Sequence, residues 1–140
     1  MTEFDVVVLG GGLSGARAAL RAAELGGKVC LVEKGVIGKK GFMRRNILLG
    51  ECDPNEGSVE WSSQLDKQER LAKEYCRNLE SSLKQAGVVI LEGEGSLASS
   101  SEISVQGKEK TQTVTGKSLI LACGSEPSFP STLPREENVI

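Results

Sequence analysis

The chain has 140 residues, long enough for a single domain with a substantial core. Lysine and arginine total 17 against 19 aspartates and glutamates, so the formal charge of −2 gives no general attraction to nucleic acid or an anionic membrane surface. There is no histidine, which excludes a histidine-based acid–base site, and the four cysteines show neither C-x-x-C spacing nor a pattern that calls for a zinc centre or a disulfide framework. The apolar runs, such as 6–9 and 119–123, are short, so no signal peptide or membrane span fits and the chain reads as cytoplasmic with reduced thiols. What stands out is glycine, at 17 residues, against about one residue in fourteen in an average chain.

Residues 4–9 are continuously apolar apart from Asp5, the pattern of a strand covered on both faces in a parallel sheet. They run straight into a glycine loop. Residues 14–25 are rich in helix formers, with Ala16, Ala18, Ala19, Ala22 and Ala23 small enough for close approach to a sheet, and Gly26-Gly27 end the helix. Residues 28–33 form a second apolar strand, which makes the first 33 residues a βαβ unit with parallel strands. Residues 35–57 lack periodicity and read as loop, with a short helix near 44–49. Trp61, Leu65, Ala72, Tyr75, Cys76, Leu79, Leu83 and Ala86 then recur at three- and four-residue steps, predicting a long amphipathic helix that closes at Gly87. Its other face carries Asp66 with Arg70 and Glu69 with Lys73 at i,i+4, the mark of a solvated surface.

Beyond Gly87 the pattern changes to short strands at 88–92, 96–99, 102–106 and 111–115, whose alternation, as at Ile103 and Val105, predicts an antiparallel meander with one wet face. The serines at 96, 99, 100, 101 and 104 are turn and edge residues. Residues 117–122 form one more apolar strand, and Pro127, Pro130 and Pro134 then exclude regular structure. The expected fold class is α/β: a parallel sheet with a βαβ start and an antiparallel β-meander, in a domain over 1–126, followed by an extended connector over 127–140.

Gly10-Gly11-Gly12-Leu13-Ser14-Gly15 is a G-x-G-x-x-G placed between a strand and an alanine-rich helix, the context that makes this motif informative. Gly10 allows the sharp turn out of the strand, Gly12 lets the backbone approach a pyrophosphate, and Gly15 permits close helix packing. The helix N-terminus offers free N–H groups and a positive dipole end to phosphates. Glu33 ends the second strand, where a carboxylate accepts hydrogen bonds from ribose hydroxyls and repels a 2′-phosphate. The pattern predicts a Rossmann-like dinucleotide site and leaves FAD and NAD open, because both contain ADP.

The stretch from Phe4 to Gly12, followed by Ala19, Gly26, Val29 and Glu33-Lys34, resembles the FAD-binding start of the pyridine nucleotide-disulfide oxidoreductases, particularly the dihydrolipoamide dehydrogenases. Glu92-Gly93-Glu94-Gly95-Ser96 resembles the family's turn against the adenine, with Gly95 in contact. Ala122-Cys123-Gly124-Ser125-Glu126-Pro127 resembles its A-T-G-S-x-P segment beside the flavin. The resemblance implies FAD as cofactor and NAD(P)H as reductant of the intact protein, a homodimer acting on a small-molecule substrate. It also implies that these 140 residues are the N-terminal part of a longer flavoprotein, lacking the second FAD segment.

One departure bears on chemistry. The positions of the family's redox C-x-x-x-x-C fall on Gly41 and Asn46, and that of its flavin-side lysine on Gly50, so the usual relay from flavin to disulfide cannot run and no catalytic residue is expected in this chain. Cys52 is expected to be an inert loop thiol, and Cys123, in place of the family threonine, a small packed residue. Lys39, Lys40, Arg44 and Arg45 form a basic cluster, read first as a solvated loop and otherwise as a contact for FAD phosphates or an anionic substrate.

Overall fold

The computed structural model describes residues 3–39 and 61–125, with side chains at 61–65 and 68 outside that description. The elements in chain order are β1 (Glu3–Leu9), α1 (Leu13–Glu24), β2 (Val29–Glu33), α2 (Trp61–Gln85), β3 (Val89–Glu92), β4 (Glu94–Leu97), β5 (Glu102–Gln106) and β6 (Thr111–Leu121). The strands join in the order β3-β2-β1-β6-β5-β4. β3, β2, β1 and the second half of β6 are parallel, while the first half of β6, β5 and β4 form the antiparallel meander.

β3 and β4 stand at opposite ends of this order, yet only Gly93 separates them in the chain. The sheet therefore folds back over itself, and β6 is where it turns: Thr115 pairs with Glu3 of β1 and with Glu102 of β5. Residues 111–115 and 117–122, expected as two strands, are one. Gly116 does not break the strand; it allows close approach, since a Cβ there would lie 2.7 Å from Val7 Cγ2. β4 starts at Glu94, two residues before the expected strand, because Gly93 already makes the corner, and residues 98–101 become the turn into β5.

The successive side chains of β1 and β2 point to opposite faces, so each strand feeds two cores. Val8, Val29 and Leu31 pack with Ala16 and Ala19 of α1 and Leu79 and Leu83 of α2. Phe4, Val7, Leu9, Cys30 and Val32 pack with Ile103, Val105 and Val114 of the meander. This is why β1 reads as an almost unbroken apolar run. α1 presents Gly15, Ala16 and Ala19 to the sheet, and α2 buries Ala72, Cys76, Leu79 and Leu83. On the outer face of α2, Lys73 pairs with Glu69 at 3.1 Å and Lys84 with Glu80 at 2.6 Å, whereas Arg70 Nε donates to the Asp66 carbonyl. Exposed pairs of this kind contribute about 0.3–0.5 kcal/mol each. Among the described residues, no helix is long and apolar enough to cross a membrane.

Candidate dinucleotide-binding site

The carboxyl ends of β1, β2 and β6 lie side by side, the place where open α/β sheets bind ligands. β1 ends in the glycine loop. Gly10 has φ +105°, and its N–H donates to Val32 O at 2.8 Å, tying the turn to β2. A Cβ at Gly10 would lie 2.3 Å from Ala122 O, and one at Gly15 would lie 1.8 Å from Gly10 O. These two glycines are fixed by the protein's own packing.

Gly12 differs. It is the N-cap of α1 in extended conformation, its carbonyl accepts from Ala16 N–H at 2.9 Å, and a Cβ there would meet none of the described residues within 4 Å. α1 has no side-chain cap, and its first turn contains no acidic residue. The first N–H groups of a helix lack intrahelical partners. Gly12, Leu13 and Ser14 thus offer donors that none of the described residues fills, at the positive end of the helix dipole.

Glu33 closes the β2 side. Its Oε2 accepts from Gly11 N–H at 2.5 Å and its Oε1 from Gly35 N–H at 2.8 Å, leaving further lone pairs on both oxygens. A Cβ at Gly11 would lie 2.9 Å from Glu33 Cβ, so this contact too depends on glycine. Gly11 O accepts from Gly38 N–H at 2.8 Å, so the chain after β2 folds back to brace the loop, a contact for which the aperiodic sequence gave no signal. On the β6 side, Ala122 N–H donates to Leu9 O at 2.8 Å. The Cys123 thiol reaches the same carbonyl at 3.8 Å, and Gly124 follows with φ +84°.

The expected site residues Gly10, Gly11, Gly12, Leu13, Ser14, Gly15, Glu33, Ala122, Cys123 and Gly124 therefore converge at one end of the sheet. Lys34 has its Nζ 2.8 Å from Glu94 Oε1. That ion pair holds Glu94 of the Glu92–Ser96 corner, whose Gly93 N–H also donates to Glu33 O at 3.0 Å. The pair and Glu33's backbone bond the corner beside the site. The carboxyl of Glu94 is held below its ordinary value by the Lys34 hydrogen bond. Gly95 has a packing role: a Cβ there would lie 2.3 Å from Leu9 Cδ1 and 3.0 Å from Val32 Cγ1, because β4 crosses above β1 and β2. Cys123, expected to be packed, is exposed. The strand has ended by Leu121, and nothing covers this side of the turn among the described residues. Of the basic cluster, Lys39 is described and is exposed. Lys40, Arg44, Arg45, Gly41, Asn46, Gly50 and Cys52 lie outside the described residues, as does the expected connector at 127–140.

A Rossmann-like α/β fold with a meander laid across one face is shared with flavoprotein disulfide reductases. The chain belongs to the pyridine nucleotide-disulphide oxidoreductase family, whose model matches residues 4–140. Dihydrolipoyl dehydrogenase of Acholeplasma laidlawii is 28% identical over 147 residues, covering 91% of this chain and 43% of that protein. Leghemoglobin reductase of Glycine max is 30% identical, over 99% of this chain and 31% of the relative. Glutathione reductase of Schizosaccharomyces pombe is 28% identical, over 96% and 34%. Among solved structures, the Cu(II) complex of the HOCl-induced flavoprotein disulfide reductase RclA from Escherichia coli superposes with a TM-score of 0.73 over 94% of this chain and 31% of that one. At 13% identity, that likeness concerns the fold. The chain thus spans less than half the length of these curated relatives.

Proposed function

We propose that this chain is the FAD-binding portion of an NAD(P)H-dependent flavoprotein oxidoreductase, with residues 1–126 as the first segment of the FAD domain and 127–140 leading toward a NAD(P) domain. The observation that carries the reading is Gly12: among the described residues no packing requires glycine there, and it caps the helix end whose first N–H groups lack intrahelical partners. In this reading, the N–H groups of Gly12, Leu13 and Ser14 bind the pyrophosphate. Glu33 accepts from the adenosine ribose and disfavours a 2′-phosphate. Lys34, held with Glu94, borders the adenine end with Gly95, and Ala122-Cys123-Gly124 borders the flavin end. When bound, FAD supplies two-electron exchange with a nicotinamide.

No two cysteines of this sequence stand at C-x-x-x-x-C spacing, so the electrons do not leave through a disulfide of that kind in this chain. The same absence favours a second reading, a binding module that has lost catalysis. Purified full-length protein separates the two. Visible flavin absorbance, bleached anaerobically by NADH or NADPH, is the expected result; a colourless protein that ignores added FAD would sink the enzyme reading. By analogy with the family, the intact protein is a homodimer, which sedimentation of the same sample tests.

A further inference from the structure

Resting on the reading of the glycine loop as a pyrophosphate site, we infer that Arg17 is a phosphate-contacting residue, adding a side-chain cation to a cradle otherwise made of backbone N–H groups. Arg17 lies on α1 three residues after Ser14 and two after Gly15. Gly15, Ala16 and Ala19 are buried against the sheet, while Ser14 and Arg17 share the exposed side of the same helix. Its Cα stands about 6 Å along the axis from that of Leu13, and helical side chains lean toward the N-terminus, which puts the first turn within reach of the guanidinium.

The charges around it identify its partner by what they leave unmatched. Arg21 is paired with Glu24 at 3.2 Å, Lys34 with Glu94 at 2.8 Å and Lys117 with Asp5 at 2.7 Å, and Lys28 lies over the Phe4 ring. Glu33, the carboxylate at the loop, is engaged by Gly11 and Gly35. Among the described residues, Arg17 has neither an ion pair nor a hydrogen bond. Its residue at i+4 is Arg21, a like charge, and it sits near the positive end of the helix dipole, where cations are unfavourable. Both penalties are relieved by a polyanion at the N-terminus of α1, and a diphosphate fits that requirement. A guanidinium matches phosphate oxygens in a bidentate fork and, at an exposed site, acts in a salt-dependent way.

FAD dissociation constants of full-length wild type, Arg17→Gln and Arg17→Lys at low and high salt test the assignment. Arg17→Gln is expected to weaken binding about five- to tenfold at low salt, with the gap closing at high salt, while Arg17→Lys restores part of the loss. The unfolding midpoint of ligand-free Arg17→Gln is expected to stay level or rise. Wild-type affinity in Arg17→Gln at low salt, or a loss independent of salt, overturns the inference while leaving the site intact. A wild type that binds no FAD removes the underlying site and this inference with it.

Discussion

Gly12 and Gly15 stand three residues apart and lack side chains for different reasons. The missing Cβ of Gly15 would strike Gly10 O, a backbone atom with no freedom to move aside. Gly15→Ala is expected to cost about 3 kcal/mol or more in chemical denaturation, because relief requires α1 to shift off the sheet. Both glycines follow from one motif, and the motif was legible because its spacing is local. The distinction between a packing glycine and an open one was not, since it depends on which atoms the fold brings alongside. Cysteine behaves the same way. Burial pushes the Cys30 thiol up to about 12 and raises that of Cys76, while Cys123 is exposed. Brief alkylation of the folded protein at mildly alkaline pH, mapped by peptide mass, is expected to label Cys123 and to reach Cys30 and Cys76 only after unfolding.

At the scale of elements, Asp5 shows how a charge is accommodated in an apolar strand. Its carboxylate accepts from Lys117 Nζ at 2.7 Å and from Lys28 N–H at 2.8 Å, so it links β1 to β6 and to the start of β2. These bonds, the Lys117 side chain first, hold its pKa below the ordinary 3.8. A lowered carboxyl pKa stabilises the fold above the unfolded value and loses that effect as the pH falls through the folded one. The Lys117 ammonium, raised above 10.5 by Asp5, contributes below that pH and loses its effect above it. The difference in unfolding midpoint between wild type and Asp5→Asn is therefore expected to be steady near neutrality and to vanish in acid below the carboxylate range. A difference that persists there would assign the effect to something other than this charge. The strands themselves were readable from alternation, but the union of two of them into β6 was not. A glycine that signals a break in sequence marks a close approach to Val7 in space.

For the molecule as a whole, the βαβ start, the long helix and the meander were legible because periods of 2 and 3.6 are written into short windows. The folding of the meander back over the parallel sheet was hidden, since it rests on Gly93 at a corner and on Gly95 beneath Leu9, contacts far apart in the chain. This layering buries one side of the parallel sheet under the meander and the other under the helices, and the candidate site lies at its carboxyl edge, which the described residues leave open. On the proposed reading, Gly12 is bare for a ligand and not for the fold. Gly12→Val in the full-length protein tests it, with FAD affinity and the stability of the ligand-free form measured on the same sample. Affinity is expected to fall by about a hundredfold or more while stability drops by about 1 kcal/mol, the cost of a poorer N-cap. Undiminished FAD binding by Gly12→Val would contradict that reading.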